Sequence, residues 1–369
     1  MLTNFSRLTT YEKTIWARKV WRQGRTYAFV NNFLGDSSDS MIQRISELKK
    51  DEKGTRCVIT LIADLKKDGV AGDRTLEGNE EAMNTFDQLI RVDQLRHAVR
   101  HEGRMANQKS VVEFRGNAKN ALAYWLADRT DQMAFLTLAG ISYTKNPDGS
   151  TRPVSAGDIP FLEFASDVTA PTAKRRLRWD NTAVALVPGA ATNAVAIGDK
   201  LVWNTIVALK AYAKTRRIRP VGGPNGTYHY FVTPNAMVSL KKDSNYLEAL
   251  RHAAASGSSN GLFTGKAPEV DGVAIHEYLY VPNTNGLPSG QKFGASGTVE
   301  GCYSLFCGAQ ALGMGDLGTA YWDEEGFDYS NQQGLSYGKI MGFKKPVFST
   351  MYEADTNEDF GVIVCYIAE

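Results

Sequence analysis

The stretch from Gly69 to Met105, GVAGDRTLEGNEEAMNTFDQLIRVDQLRHAVRHEGRM, constrains the fold most, because its parts cannot share one compact element. It opens on a Gly- and Asp-rich loop and continues through Glu77, Gly78, Glu80 and Glu81, a polar tip with no core of its own. Before it, Thr55 to Leu65 alternates Cys57, Ile59, Leu61, Ala63 and Leu65 with Val58, Thr60, Ile62 and Asp64, the period of a β-strand. After it, Phe86, Ile90 and Val92 share one parity and Asp87, Arg91 and Asp93 the other. Two such runs joined by about twenty polar residues predict a long hairpin, and connections of that length are usually functional.

From Arg104 to Ala139 the period changes. Val111, Phe114, Ala118, Leu122, Trp125, Met133 and Leu136 fall at helical spacings, which predicts one helix about 50 Å long, a strut rather than one layer of a globular core. Gly116 within it predicts a bend or a close neighbour.

A long hairpin feeding directly into such a helix resembles the major capsid proteins of tailed bacteriophages with the Hong Kong 97-type fold. The phrases GDRTLEGNEEA (Gly72 to Ala82) and VDQLRHAVRHEGRM (Val92 to Met105) resemble the coat-protein branch of the N-four-type short-tailed phages. The likeness continues through FTGKAPEVDGVAIHE, CGAQAL and FDYSNQQGLSYGKIMGFKK, and weakens over residues 140–200. The resemblance implies an α+β fold with an N-terminal arm (1–53), an extended hairpin (54–103), a spine helix and peripheral domain (104–200), a mainly axial domain (201–335) and C-terminal strands returning to the peripheral domain (336–369). It also implies a structural subunit, not an enzyme, that forms pentamers and hexamers and closes an icosahedral head around double-stranded DNA. Its implied partners are other copies of itself, a portal protein, a separate scaffolding protein and a cement protein. An encapsulin-type compartment shell shares the fold, but the phage-like phrases argue against it.

The charge agrees with a structural role. Lys and Arg number 42 against 40 Asp and Glu, without the excess expected of a protein whose main task is gripping phosphates, so DNA contacts should be weak and local. The four cysteines, Cys57, Cys302, Cys307 and Cys365, lie in apolar runs without CxxC spacing and read as reduced core thiols. No apolar signal core opens the chain and no run reaches the roughly 18 apolar residues of a membrane span. Folding in the host bacterial cytoplasm and residence in the virion capsid follow as expectations, with no membrane and no flexible C-terminal tail.

Residues 1–53 carry Trp16, Trp21, Phe29 and Phe33 with little local sequence to bury them, so the arm should dock on something else, along the inner capsid surface in the family picture, the alternative being a helical pair packed on its own subunit. Ser37-Ser38-Asp39-Ser40 looks like a helix cap ahead of MIQRISELKK. Farther on, Asp199 to Arg217 and Asn245 to Ala255 predict helices. Thr227 to Thr233, Val273 to Val281, Tyr303 to Phe306, Leu335 to Phe343 and Phe360 to Ile367 predict strands, the last buried on both faces. The mixture fits α+β rather than repeating βαβ units.

Candidate chemistry is sparse. Gly313, Gly315 and Gly318 match G-x-G-x-x-G, but no amphipathic helix follows to hold a pyrophosphate, so a glycine-rich strand connection is expected. Asp93, His97 and His101 would face one way on a helix, yet nothing nearby completes a metal site, and a structural role at the foot of the hairpin is expected. Asp323, Glu324, Glu325 and Asp328 read as a solvated or subunit-contact patch, the rival being an oligomeric enzyme that uses them as paired carboxylates or a cation site. No catalytic residue, cofactor site or metal site is expected. The densest charges outside these are the acidic tip (Glu77, Glu80, Glu81) and the basic run Arg175, Arg176 and Arg178, which predict a tip-to-run contact between neighbouring subunits.

Overall fold

The computed structural model describes residues 27–46, 56–62, 67–81, 85–109, 114–155, 157–254, 268–318, 320–349 and 357–369. The hairpin forms as its alternation predicts. β3 (Arg56–Ile62) pairs antiparallel with β4 (Thr85–Arg91), from Arg56 opposite Arg91 to Ile62 opposite Thr85. After Val92 the chain continues as β5 (Asp93–Arg100).

The expected helix appears as α1 (Arg104–Lys109) and α2 (Phe114–Ala139), with residues 110–113 between them outside the described set. Ala118, Leu122 and Met133 are buried as their spacing predicts, but every residue from Thr130 to Ala139 is buried too. The reading of α2 as a strut therefore fails at its C-terminal end. There the turn Phe29–Phe33 and a strand of the larger sheet pack on it, besides the sheet that carries β5. Thr130 and Thr137 tolerate this burial by donating to the carbonyls of Leu126 and Met133 at 2.7 Å, one turn back.

Two sheets flank this helix. The first runs β1 (Leu34–Gly35), β2 (Ile42–Ile45), β12 (Leu312–Asp316), β14 (Gln332–Lys344) and β13 (Tyr321–Phe327), with β5 on the free edge of β14. The second orders β7 (Ala185–Pro188), β6 (Arg176–Asp180), β17 (Val362–Ala368), β11 (Gly301–Cys307), β8 (Tyr228–Val232), β10 (Val273–Glu277) and β9 (Glu269–Val270). Helices α3 (Trp203–Thr215) and α5 (Ser244–Ala254) occupy the segments expected of them, with α4 (Pro234–Lys242) between them. Thr233 caps α4 by accepting from Ala236 N at 3.3 Å.

Both sheets and α2 share one continuous apolar core. β17 is buried at every residue and lies between β6 and β11, whereas β14 lies in the other sheet. Residues 336–369 thus supply strands to both sheets. The segment after Ser37–Ser40 is the strand β2, not a helix, because Leu312 to Gly315 offer it a parallel partner. All four cysteines are buried and none is joined in a disulfide.

Candidate assembly surfaces

The hairpin root is fastened to its own subunit by glycines. Ile90 and Val92 on one side and Cys57 and Ile59 on the other form, with Ile45, a small second core over β12. A β-carbon on Gly313 would stand 2.8 Å from Ile90 Cδ1, and one on Gly315 would stand 2.8 Å from Val92 Cγ1 and 3.2 Å from Cys57 Sγ. Two members of the G-x-G-x-x-G pattern are therefore floor for the hairpin, an approach that only a residue without a side chain permits. Lys344 Nζ donates to Leu89 O at 2.8 Å and Val347 N donates to Gln88 Oε1 at 3.2 Å, which ties β4 laterally as well.

Beyond the Ile62–Thr85 pair the chain changes character. Residues 71–80 are all exposed, including Leu76 at 61%. Gly69, Gly72 and Gly78 take positive φ. Glu81 accepts from Lys67 N at 2.7 Å and Glu80 accepts from Gly78 N at 2.7 Å, so the loop is shaped by bonds between its own residues. Glu77 and Glu80 are exposed, while Glu81 is half-buried.

The basic run does not meet the expectation made for it. Arg175 is 1% exposed and donates from Nε to Asp359 O at 2.8 Å. Arg176 donates to Gly189 O at 3.1 Å, and Arg178 donates to Asp199 and Asp180 at 2.8 and 2.6 Å. The run lies on β6 inside the larger sheet, where its charges meet acids and carbonyls of their own subunit. Arg175 is buried, while Arg176 and Arg178 stay half-buried.

Phe29 is also internal. It stacks on Tyr278 at 4.2 Å and lies within 6.4 Å of Phe135, while Phe33 meets His229 and His276 edge-on at 5.0 Å. The backbone N–H groups of Phe29 and Val30 donate to the Asp131 carboxylate at 2.9 and 3.0 Å, and Tyr278 OH donates to it as well. Burial pushes Asp131 up to about 6 against those three donors. Beside it, His229 Nδ1 and His276 Nε2 lie 3.0 Å apart, and burial with its neighbour pushes His276 down to about 4. The end of the arm from Tyr27 onward thus packs on its own subunit. Trp16 and Trp21 lie outside the described residues.

The remaining clusters separate on strands. β5 is a strand, so His97 and His101 are not neighbours on a helix. His97 lies against Trp125 at 4.9 Å, and His101 meets Phe114 at 5.0 Å and accepts from Gln333 N at 3.1 Å. On β13, alternation sends Glu324 to Arg115 at 2.8 Å and leaves Asp323 and Glu325 on the opposite, exposed face. Among the described residues no three His, Cys, Asp or Glu side chains are grouped to hold a metal, and no helix is long and apolar enough to cross a membrane.

The family model described as phage capsid protein matches residues 4–369. A major capsid protein of Pseudomonas phage KPP25 is 53% identical over 368 residues, covering 99% of this chain and 97% of that one. The capsid of Ralstonia phage GP4 superposes with a TM-score of 0.73 at 25% identity, over 92% of this chain and 90% of the other. The cyanophage Pam1 capsid subunit superposes at 0.70 and 17% identity, over 100% and 99%.

Proposed function

The chain belongs to the phage capsid protein family, as a major capsid protein with the Hong Kong 97-type α+β fold, and from that premise we propose how its subunits close a shell. They form pentamers and hexamers that build an icosahedral head around double-stranded DNA, with assembly in the host bacterial cytoplasm. The observation that carries this reading is the division of the hairpin at Ile62–Thr85, where a root locked over β12 gives way to an exposed loop. An extension held rigidly at one end and solvated at the other suits a contact completed by a neighbour, so that part of each subunit's stability is intermolecular.

Glu77, Glu80 and Glu81 serve that contact in this reading, and Trp16 and Trp21 serve a second one through the arm. The near-balance of 42 basic and 40 acidic side chains supports weak, local contact with the packaged DNA. A portal protein, a separate scaffolding protein and a cement protein complete the set of partners. Sedimentation of the purified chain tests the reading. Rings and shell-sized species support it, and a persistent small oligomer contradicts it.

A further inference from the structure

One side of α2 faces a groove rather than the core. Ala121, Tyr124, Asp128 and Asp131 follow one another at spacings of three and four, so they share that side of the helix. The segment leaving β10 brings Tyr278 and Tyr280 against it, and Tyr27 stacks on Tyr124 with ring centroids 4.0 Å apart. With Trp125 these residues line an open groove of about 470 Å³.

Tyrosines fix both carboxylates of the groove. Tyr280 OH donates to Asp128 Oδ1 and Tyr278 OH donates to Asp131 Oδ2. Asp128 Oδ2 also accepts from Gln132 Nε2 at 3.1 Å, which leaves a lone pair on each Asp128 oxygen. Two cations stand close without lining the groove. Arg129 Nη1 and Arg152 Nη2 both donate to Gln132 Oε1, at 2.8 and 3.1 Å, and Arg129 Nη1 stays 3.6 Å from Asp128 Oδ2. Behind Asp128, Asp131 is 2% exposed, and burial holds its carboxyl up at about 6 against three donors. The acidic end of the groove is short of positive charge.

Elimination gives the class of ligand. An anion would meet two carboxylates. A bare metal ion would lack ligands, since among the described residues no three His, Cys, Asp or Glu side chains gather to hold one. A neutral apolar molecule would strip water from Asp128 and return nothing. An organic cation with an apolar stem remains, held by aromatic faces and a carboxylate together. From Ala121 to Asp131 the helix side runs about 15 Å, which suits an extended chain better than a compact head. DNA inside a shell would keep such cations at hand, because a chain with 42 basic and 40 acidic side chains does not neutralise the phosphates. That supply rests on the shell reading above, whereas the groove does not.

We propose that this groove binds a linear aliphatic polyamine, with one ammonium group against Asp128, Asp131 behind it, and the methylenes along Tyr27, Tyr124 and Trp125. The ligand then fastens three separate segments to one another: the end of the arm at Tyr27, α2, and the segment after β10. Binding to the folded subunit alone stabilises it by mass action.

Isothermal titration calorimetry of the full-length subunit with spermidine tests the site. One saturable site per subunit is expected, and spermidine should raise the thermal unfolding midpoint where sodium or magnesium chloride at equal ionic strength does not. Asp128→Asn keeps an acceptor for Tyr280 and should weaken binding about tenfold or more. Tyr124→Leu, at a position 52% exposed, should weaken it roughly threefold by removing a π face. Both variants should keep their circular dichroism. No saturable binding, unchanged affinity in folded Asp128→Asn, or an equal midpoint shift from magnesium chloride would overturn the site. Should Asp128→Asn fail to fold, unchanged affinity in Tyr124→Leu would overturn it alone. The readout is taken on subunits, so a failure to close shells strikes the shell reading and leaves this one standing.

Discussion

Gly313 lies so close beneath Ile90 that a β-carbon on it would stand 2.8 Å from the Ile90 Cδ1 atom. Gly315 repeats the relationship one pleat along, under Val92 and Cys57. Gly313→Val and Gly315→Val should therefore each destabilise the hairpin root by about 1–3 kcal/mol through overpacking. The check is denaturant unfolding of the subunit beside its particle yield, which should fall more steeply than stability does.

Removing residues 1–26 leaves the Phe29–Phe33 turn on Asp131, Phe135 and Tyr278, so the subunit should keep its circular dichroism and its unfolding midpoint while shell formation weakens. Removing residues 1–35 strips that turn and should lower the midpoint itself. Equal midpoints for the two truncations would refute the internal docking.

Acid should act on this site through two groups of opposite sign. Asp131 has a folded pKa raised to about 6, from 3.8, so its contribution is fully present below about 3.8 and lost as pH rises through about 6. His276 is depressed to about 4, from 6.5, so its contribution is present above 6.5 and lost as pH falls through about 4. Asp131 is worth on the order of 3 kcal/mol and the half-buried His276, screened by solvent, less than that, and between pH 4 and 6 they oppose each other. Asp131→Asn should make the subunit more acid-labile than the unaltered chain, and His276→Gln should make it less so. Denaturant midpoints across that pH range read both signs.

Lys345 Nζ and Asp359 Oδ2 form a 3.0 Å ion pair with neither side chain exposed. Burial pushes the lysine down and the aspartate up, each toward its neutral form. Lys345→Met alone should cost about 3–5 kcal/mol by stranding the carboxylate, and adding Asp359→Leu should recover most of it. Thermal or denaturant unfolding of the two variants measures the difference.

The features legible in the sequence were those with a local period. Cys57–Ile59 and Ile90–Val92 announced the hairpin by alternation, and Ala118, Leu122 and Met133 announced α2. Partners distant in sequence were not legible. Phe29 signalled that it docks but not that Asp131 and Tyr278, more than a hundred residues on, receive it. The Arg175–Arg178 run reads as a surface patch because its acceptors, the Asp199 carboxylate and the Asp359 carbonyl, arrive from other segments. Gly313 and Gly315 carried a visible pattern whose meaning depended on what lies above them.

The central claim is that the hairpin tip is dispensable for folding and required for closing the shell. The most direct measurement is electron microscopy of the unaltered chain beside a variant in which an Asn-Gly turn joins Ile62 to Thr85 in place of residues 63–84. Closed shells from the former and only small folded species from the latter are the predicted result. Closed shells of normal size from the shortened chain would contradict the account.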